Sequence, residues 1–211
     1  MEKSLSMGTL KRPNRKRQDL RRLITQKAGE LFGKEGYHGA TVEQISKSLG
    51  ISKPSIYYHF ASKEEILFEF SRFAHNKALE GLKKIAEGSE GAEEKLKKAI
   101  DFHIDLLCFE LTPGMVDLHW QFSLPKKLAR PIKKLRGEFD VLLRRIISEG
   151  IDEGVFEEVD PKIVGFCIVG AINFLPQWFS SKGPLSRGEI KTLIRDYLMR
   201  GILKPERSRT A

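Results

Sequence analysis

The chain has 211 residues, of which 40% are hydrophobic and 31% are charged, and its formal net charge is +9. This composition is typical of a folded protein of one or two domains and argues against an intrinsically disordered chain. No apolar run approaches the roughly 18 residues that a membrane-spanning helix needs, and no apolar segment follows the basic N-terminus as in a secretory signal. We therefore expect a cytoplasmic protein without a membrane segment.

The positive charge is concentrated near the N-terminus. Residues 1–63 contain 13 Lys and Arg against 5 Asp and Glu, whereas the rest of the chain is almost neutral. A surface that binds a polyanion concentrates charge in this way. Residues 1–17 are predicted to form a flexible basic arm, which is either a solubilising tail or a segment that follows DNA beside the main contact.

Apolar residues recur at three- and four-residue steps, which predicts an all-α protein of about nine helices. We expect a three-helix head over residues 18–63 and a six-helix body over residues 64–205. A long helix that starts at Ser62 would connect the two. Outside two short helices in the head, the predicted helices cover residues 18–34, 62–85, 92–111, 115–122, 126–153, 161–180 and 187–203.

Three helix starts follow one another closely in the head. Thr41 and Gln44 form one predicted capping box, and Ser62 and Glu65 form another. Between them, Ser52 precedes a proline that is tolerated in a first helical turn. Gly50 can supply the left-handed conformation that ends one helix before the next begins. Two short helices joined by such a turn indicate a helix-turn-helix.

The second short helix combines an apolar face with a basic and aromatic one. Its polar face alone is also compatible with a solvated helical hairpin. However, the segments Leu31–Tyr37, Tyr57–Phe60 and Lys63–Leu67, with Thr41 and Gly50, resemble the DNA-binding domain of TetR-family transcriptional regulators. The resemblance extends over about residues 20–67. Ser46 stands where the family usually has alanine, and its hydroxyl can bond back into its own helix.

The resemblance implies that the second short helix lies in the DNA major groove. Lys53 and Ser55 would face base edges, and three aromatic residues would face bases or phosphates. Thr41 and Lys63 would contact phosphates at helix N-termini. The full set of predicted DNA-binding residues is Thr41, Ser52, Lys53, Pro54, Ser55, Tyr57, Tyr58, His59 and Lys63.

One short helix contacts only a few bases. The family resemblance implies that the protein binds a palindromic operator as a homodimer. The last two helices carry more apolar surface than one contact face needs, so we expect the dimer interface there. The alternative is that this surface packs only within the subunit. The predicted interface residues are Phe166, Val169, Gly170, Phe174, Trp178, Leu193, Tyr197 and Leu198.

The body is rich in aromatic residues, most of which are expected in its core. The family resemblance implies that some line a pocket for a small hydrophobic effector. Residues 171–178 and 183–186 are similar to a branch of the TetR family whose members respond to acyl-CoA thioesters. Basic residues at 126–136 would then meet CoA phosphates or simply form a solvated face. The predicted pocket residues are Phe102, His103, Leu106, Phe109, Trp120, Phe122, Phe139, Leu143, Phe166 and Asn173.

Catalysis has little support in the sequence. The five histidines lack metal-ligand spacing, and no phosphate loop or nucleophile motif occurs, so we expect no enzyme, metal or cofactor. Asp101 and Asp105 share a helix face that either holds a cation or is an ordinary exposed pair. Cys108 and Cys167 are expected to be buried. The predicted function is a ligand-responsive repressor; the alternatives are a TetR-like protein that acts through a protein partner, and a small helical enzyme.

Overall fold

The computed structural model describes residues 12–111, 124–180 and 182–205, with side chains from residue 16 onward. Within these ranges the protein is all-α, as predicted, and no helix is long and apolar enough to cross a membrane. The predicted helix at 115–122 lies outside the described residues. The elements are α1 (Arg12–Gly39), α2 (Val42–Ser48), α3 (Lys53–His59), α4 (Lys63–Ala86), α5 (Ala92–Asp105), a π-helix (Leu106–Glu110), α6 (Lys126–Asp152), α7 (Pro161–Trp178) and α8 (Arg187–Arg200).

The first helix begins earlier than its apolar pattern predicts. It starts at Arg12 rather than near Gln18, so residues 12–17, which were predicted as part of the arm, are helical. Proline is tolerated in a first helical turn, and the Lys, Arg and Gln residues that follow are good helix formers. Gly36 has a φ of 74°, which interrupts the helical geometry near its predicted end. One further turn reaches Gly39.

The helix-turn-helix caps form as predicted, with one exception. The Thr41 hydroxyl accepts from the Gln44 amide at 3.2 Å, and the Gln44 side chain accepts from the Thr41 amide at 2.7 Å. Gly50 has a φ of 64°, as the turn requires. The Ser62 hydroxyl caps α4, but the Glu65 carboxylate accepts from Ala61 at 2.6 Å, so the second capping box is only half formed.

The three head helices and the start of α4 share one apolar core. Side chains at three- and four-residue spacing on α1 meet the inner faces of α2 and α3. This packing leaves the opposite face of α3 to the solvent. The core residues are Ile24, Ala28, Phe32, Ile45, Ile56, Phe60, Ile66 and Leu67, all of which are buried.

The body is built around α6, which packs against α4, α5 and α7. The predicted helix over residues 92–111 is α-helical only to Asp105, and its last turn is the π-helix. Beyond α6, the Phe156 ring packs directly on Gly150, where an added Cβ would lie 2.1 Å from the ring. An isolated bridge between Phe156 and Leu203 ties the segment after α8 to this point.

The two cysteines differ in environment. Cys108 is buried in the π-helix, and burial together with the nearby Asp105 carboxylate raises the pKa of its thiol to about 11. Cys167 is exposed on α7, so the prediction that both cysteines are buried is wrong for Cys167.

Candidate nucleic-acid interface and effector domain

One face of α3 is free for a partner. Ile56 on α3 and Phe60, which directly follows the helix, are both buried and fix its inner face. Lys53 lies at the exposed start of the helix. The Tyr57 and Tyr58 side chains are 47% and 68% exposed, although both are large and aromatic. The structure thus presents a cation and two aromatic rings together on the predicted reading helix.

His59 does not belong to this exposed face. Its side chain is only 7% exposed, and its ring packs against the edge of Tyr58 with 5.2 Å between ring centroids. Burial, together with the positive charges of Arg17 and Arg21, lowers the pKa of His59. In the structure without DNA, His59 therefore packs within the head, and its predicted DNA contact stays a prediction.

Lys63 contacts the backbone of the head itself. Its Nζ donates to the backbone carbonyls of Tyr37 and Ala40 at 2.9 and 3.0 Å. The ammonium group lies 4.3 Å from the centroid of the Tyr37 ring. Lysine near a helix C-terminus satisfies carbonyls that lack helical partners. Lys63 therefore fixes the end of α1 against the start of α4, and its predicted phosphate contact stays a prediction.

Tyr37 completes the same junction. It is 5% exposed, its ring packs edge-on against Phe32, and its hydroxyl donates to Glu64 Oε1 at 3.0 Å. Burial and the neighbouring Glu64 carboxylate raise the pKa of the Tyr37 hydroxyl. The phenol therefore stays protonated and keeps donating to α4.

Arg21 is a structural residue that the sequence analysis missed. Its guanidinium donates to the backbone carbonyl of His59 and lies 4.2 Å from the centroid of the Phe60 ring. It also pairs with Glu65 at 3.5 Å and Glu69 at 3.4 Å. One side chain of α1 thus contacts the end of α3 and the first turns of α4. The four-residue spacing of Arg17 and Arg21, which places both on one helix face, was the signal available in the sequence.

A polar contact lies inside the body among the predicted pocket residues. His103 on α5 is buried, and its Nε2 lies 3.2 Å from Oδ1 of Asn173 on α7. The His103 ring is 5.2 Å from that of Phe139 on α6, measured between centroids. Burial lowers the pKa of His103 to about 4. The structure therefore brings three predicted pocket residues together from three helices.

The other predicted pocket residues differ in how far they are buried. Leu106 and Leu143 are buried, and Phe102 and Phe109 are half-buried. Phe166 is 50% exposed on α7, so it is not buried with the residues around His103. The Arg144 guanidinium covers its ring at 5.7 Å from the centroid. The last two predicted pocket residues, Trp120 and Phe122, lie outside the described residues.

The predicted dimer surface is largely exposed. Val169 and Leu198 are half-buried, and Gly170 is exposed. The larger side chains have little packing within the described subunit, which argues against a purely internal role. Their exposed fractions are 50% for Phe166, 63% for Phe174, 52% for Trp178, 54% for Leu193 and 81% for Tyr197.

The two aspartates on α5 have side-chain cations as partners. Asp105 accepts from Arg187 at 2.9 Å and from Lys191 at 2.8 Å, and Asp101 accepts from Arg195 at 2.8 Å. All three cations belong to α8. Across the described ranges, no group of three or more metal-ligating side chains occurs. These aspartates therefore join α8 to α5, rather than forming an unpaired acidic face.

A helix-turn-helix head with an exposed reading helix, on a helical body, defines a DNA-binding protein. Residues 24–70 match the family model described as bacterial regulatory proteins of the tetR family. Residues 89–202 match the tetracyclin repressor-like C-terminal domain. The chain belongs to the TetR family of transcriptional regulators, which are DNA-binding proteins and not enzymes.

One curated relative and two solved structures are similar to the chain. The chain is 26% identical to the fatty acid metabolism regulator protein of Bacillus subtilis, over 71% of this chain and 78% of that protein. The crystal structure of the TetR-family regulator PfmR from Thermus thermophilus is 30% identical, covers 84% of this chain and 97% of its own, and has a TM-score of 0.76. The structure of AibR with isovaleryl coenzyme A and operator DNA is 21% identical, covers 88% and 98%, and has a TM-score of 0.77.

The lowered pKa of His103 gives a pH-dependent stability. In the unfolded chain His103 takes up a proton near pH 6.5, whereas in the folded protein it does so only near pH 4. The free energy of unfolding therefore decreases as the pH falls through this window. Between pH 7 and pH 5 this group contributes a loss of about 2 kcal/mol. We expect the free energy of unfolding, measured with urea at one fixed protein concentration, to fall less between these pH values in His103→Gln than in the wild type. His38→Gln is the control, and an equal loss in both variants would contradict the prediction.

Proposed function

We propose that this protein is a ligand-responsive repressor that binds a palindromic operator as a homodimer and is released by a small hydrophobic effector. The observation that carries the proposal is the exposed face of α3, with Lys53, Tyr57 and Tyr58 on a helix held firmly from behind. Lysine can donate to guanine or to phosphate, and tyrosine can contact both phosphates and thymine methyl groups.

The operator symmetry follows from the proposed dimer. Two reading helices related by a two-fold axis would enter successive major grooves about 34 Å apart. The exposed aromatic residues of α7 and α8 support such an interface, because large apolar patches on a surface mark protein contacts. Their aromatic character also fits the centre of an interface.

The head and the body are joined by a helix that can transmit a change in spacing. α4 has 24 residues, runs without a break from Lys63 to Ala86 and packs along α6. An effector in the body need only bind more tightly to one spacing of the two heads than to another. In the proposed mechanism, the effector-bound spacing no longer matches the operator.

An acyl-CoA thioester is the proposed effector. Two relatives support this class: the fatty acid metabolism regulator, and AibR with its bound isovaleryl coenzyme A. Aliphatic and aromatic side chains around His103 and Asn173 suit an acyl chain. The start of α6 has exposed basic residues that suit CoA phosphates: Lys126, Lys127, Arg130, Lys133, Lys134 and Arg136.

We expect Lys53→Ala to weaken operator binding at least tenfold without lowering the melting temperature, since Lys53 is exposed and lies on the reading face. Lys63→Met should instead lower the melting temperature, because two carbonyls lose their donor. The operator is first selected from random duplexes with the wild-type protein, and affinities are then measured by fluorescence anisotropy. Unchanged binding by Lys53→Ala would contradict the assigned reading face.

We expect a dimer in sedimentation velocity at low micromolar concentration. Phe174→Glu should shift it to monomer, because a charge would be buried at the centre of the apolar surface. Phe73→Glu on α4 is the matched control, since Phe73 is 52% exposed and lies outside this surface. A wild-type monomer, or a Phe174→Glu dimer as stable as the control, would contradict the proposed interface.

Calorimetry with acyl-CoAs of increasing chain length tests the effector. Affinity should rise with chain length until the pocket is full, by about 0.8 kcal/mol for each buried methylene. Unacylated CoA is the control and should bind more weakly. If no acyl-CoA binds, the effector belongs to another chemical class.

A further inference from the structure

The start of α1 carries a dense positive charge. The segment Arg12–Arg17 has four basic residues and no acidic one. The first turn of α1 also contains no acidic residue. Cations near a helix N-terminus are disfavoured by the helix dipole. The segment is nevertheless helical. A nearby anion would therefore offset the unfavourable interaction between these cations and the helix dipole.

This basic segment lies directly beside the reading helix. The Arg17 guanidinium sits over the Tyr58 ring, 5.1 Å from its centroid, and the Tyr58 side chain is 68% exposed on α3. Lys16 and Arg17 are themselves exposed. Arg17 and the outer face of α3 are therefore parts of one continuous surface.

Arg17 and Arg21 differ in how their charges are matched. Arg21 pairs with two carboxylates of α4, Glu65 and Glu69. Among the residues that the structure describes, no carboxylate pairs with Arg17, whose contact is the neutral ring of Tyr58. A guanidinium can stack its plane on an aromatic ring while its N–H groups point outward to a phosphate.

We infer that the first turns of α1, led by Arg17, form a second DNA-contacting surface that binds backbone phosphates next to the bases read by α3. The inference rests on the proposed function. It adds a contact whose geometry is fixed in advance, because Arg21 ties the same helix to α3 and α4. Phosphate binding carries no sequence information, so the contact contributes equally on operator and unrelated DNA.

The test compares Arg17→Gln with Lys84→Gln, an exposed lysine in the last turn of α4, far along that helix from the head. Binding of the selected operator and of an unrelated duplex is measured by anisotropy across a salt series. Each lost phosphate contact reduces the slope of log affinity against log salt by about 0.9, so a dimer should lose about two. Arg17→Gln should show this loss on both duplexes, and Lys84→Gln should match the wild type.

A second comparison separates direct contact from positioning of Tyr58. Arg17→Gln is also placed in a Tyr58→Ala background, where the ring contact no longer exists. A phosphate contact predicts that the salt slope still falls in this background. An unchanged slope there would mean that Arg17 acts only through Tyr58, which overturns the inference. Thermal melting confirms that each variant is folded.

The inference and the proposed function fail in different ways. If the wild type binds no duplex, both are wrong. If the wild type binds its operator and Lys53→Ala weakens binding, the proposed reading of DNA by α3 stands. An Arg17→Gln variant that then equals the wild type in affinity and salt slope overturns the second surface alone.

Discussion

The geometry of the head depends on cations that bind backbone carbonyls at helix ends. Lys63 donates to two carbonyls at the end of α1, and Arg21 donates to the carbonyl of His59 at the end of α3. Such carbonyls lack partners within their own helix and lie at the negative end of its dipole. A cation there satisfies both needs at once. Because these two cations come from α4 and α1, they fix α1, α3 and α4 in one arrangement.

The same junction defines how the head is attached to the body. α4 begins at Lys63, within the cluster that also contains Tyr37 and Glu64, and then packs against α6. A rotation of α4 in the body would carry the junction with it, since α3 is held by its neighbours on both sides. The proposed response to an effector therefore requires a rigid head and a movable α4, rather than a head that deforms.

Local features were predictable from the sequence, whereas features that depend on distant partners were not. The cap at Thr41 and the turn at Gly50 form as expected, because each depends on residues within three positions. Lys63 was assigned to phosphate because its position at a helix start was visible, whereas the carbonyls that bind it are 26 and 23 positions away.

The sequence also did not indicate which faces of the body helices are buried. α7 is apolar on nearly every side, so its sequence does not indicate which apolar residues meet the core. The structure places Ile168 and Ile172 inside and leaves Phe166 and Cys167 outside. The aspartates of α5 were ambiguous for the same reason, since α8, which neutralises them, lies more than 80 positions later.

The ion pairs between α5 and α8 also bear on the order in which we expect the chain to fold. They join residues 82 to 94 positions apart, whereas the contacts of Arg21 and Lys63 in the head span 23 to 48. Closing a longer loop costs more entropy, so contacts between near neighbours form first. During synthesis the head can complete its core while α8 has yet to be made. We therefore expect docking of α8 on α5 to be a late folding step, which neutralises Asp101 and Asp105.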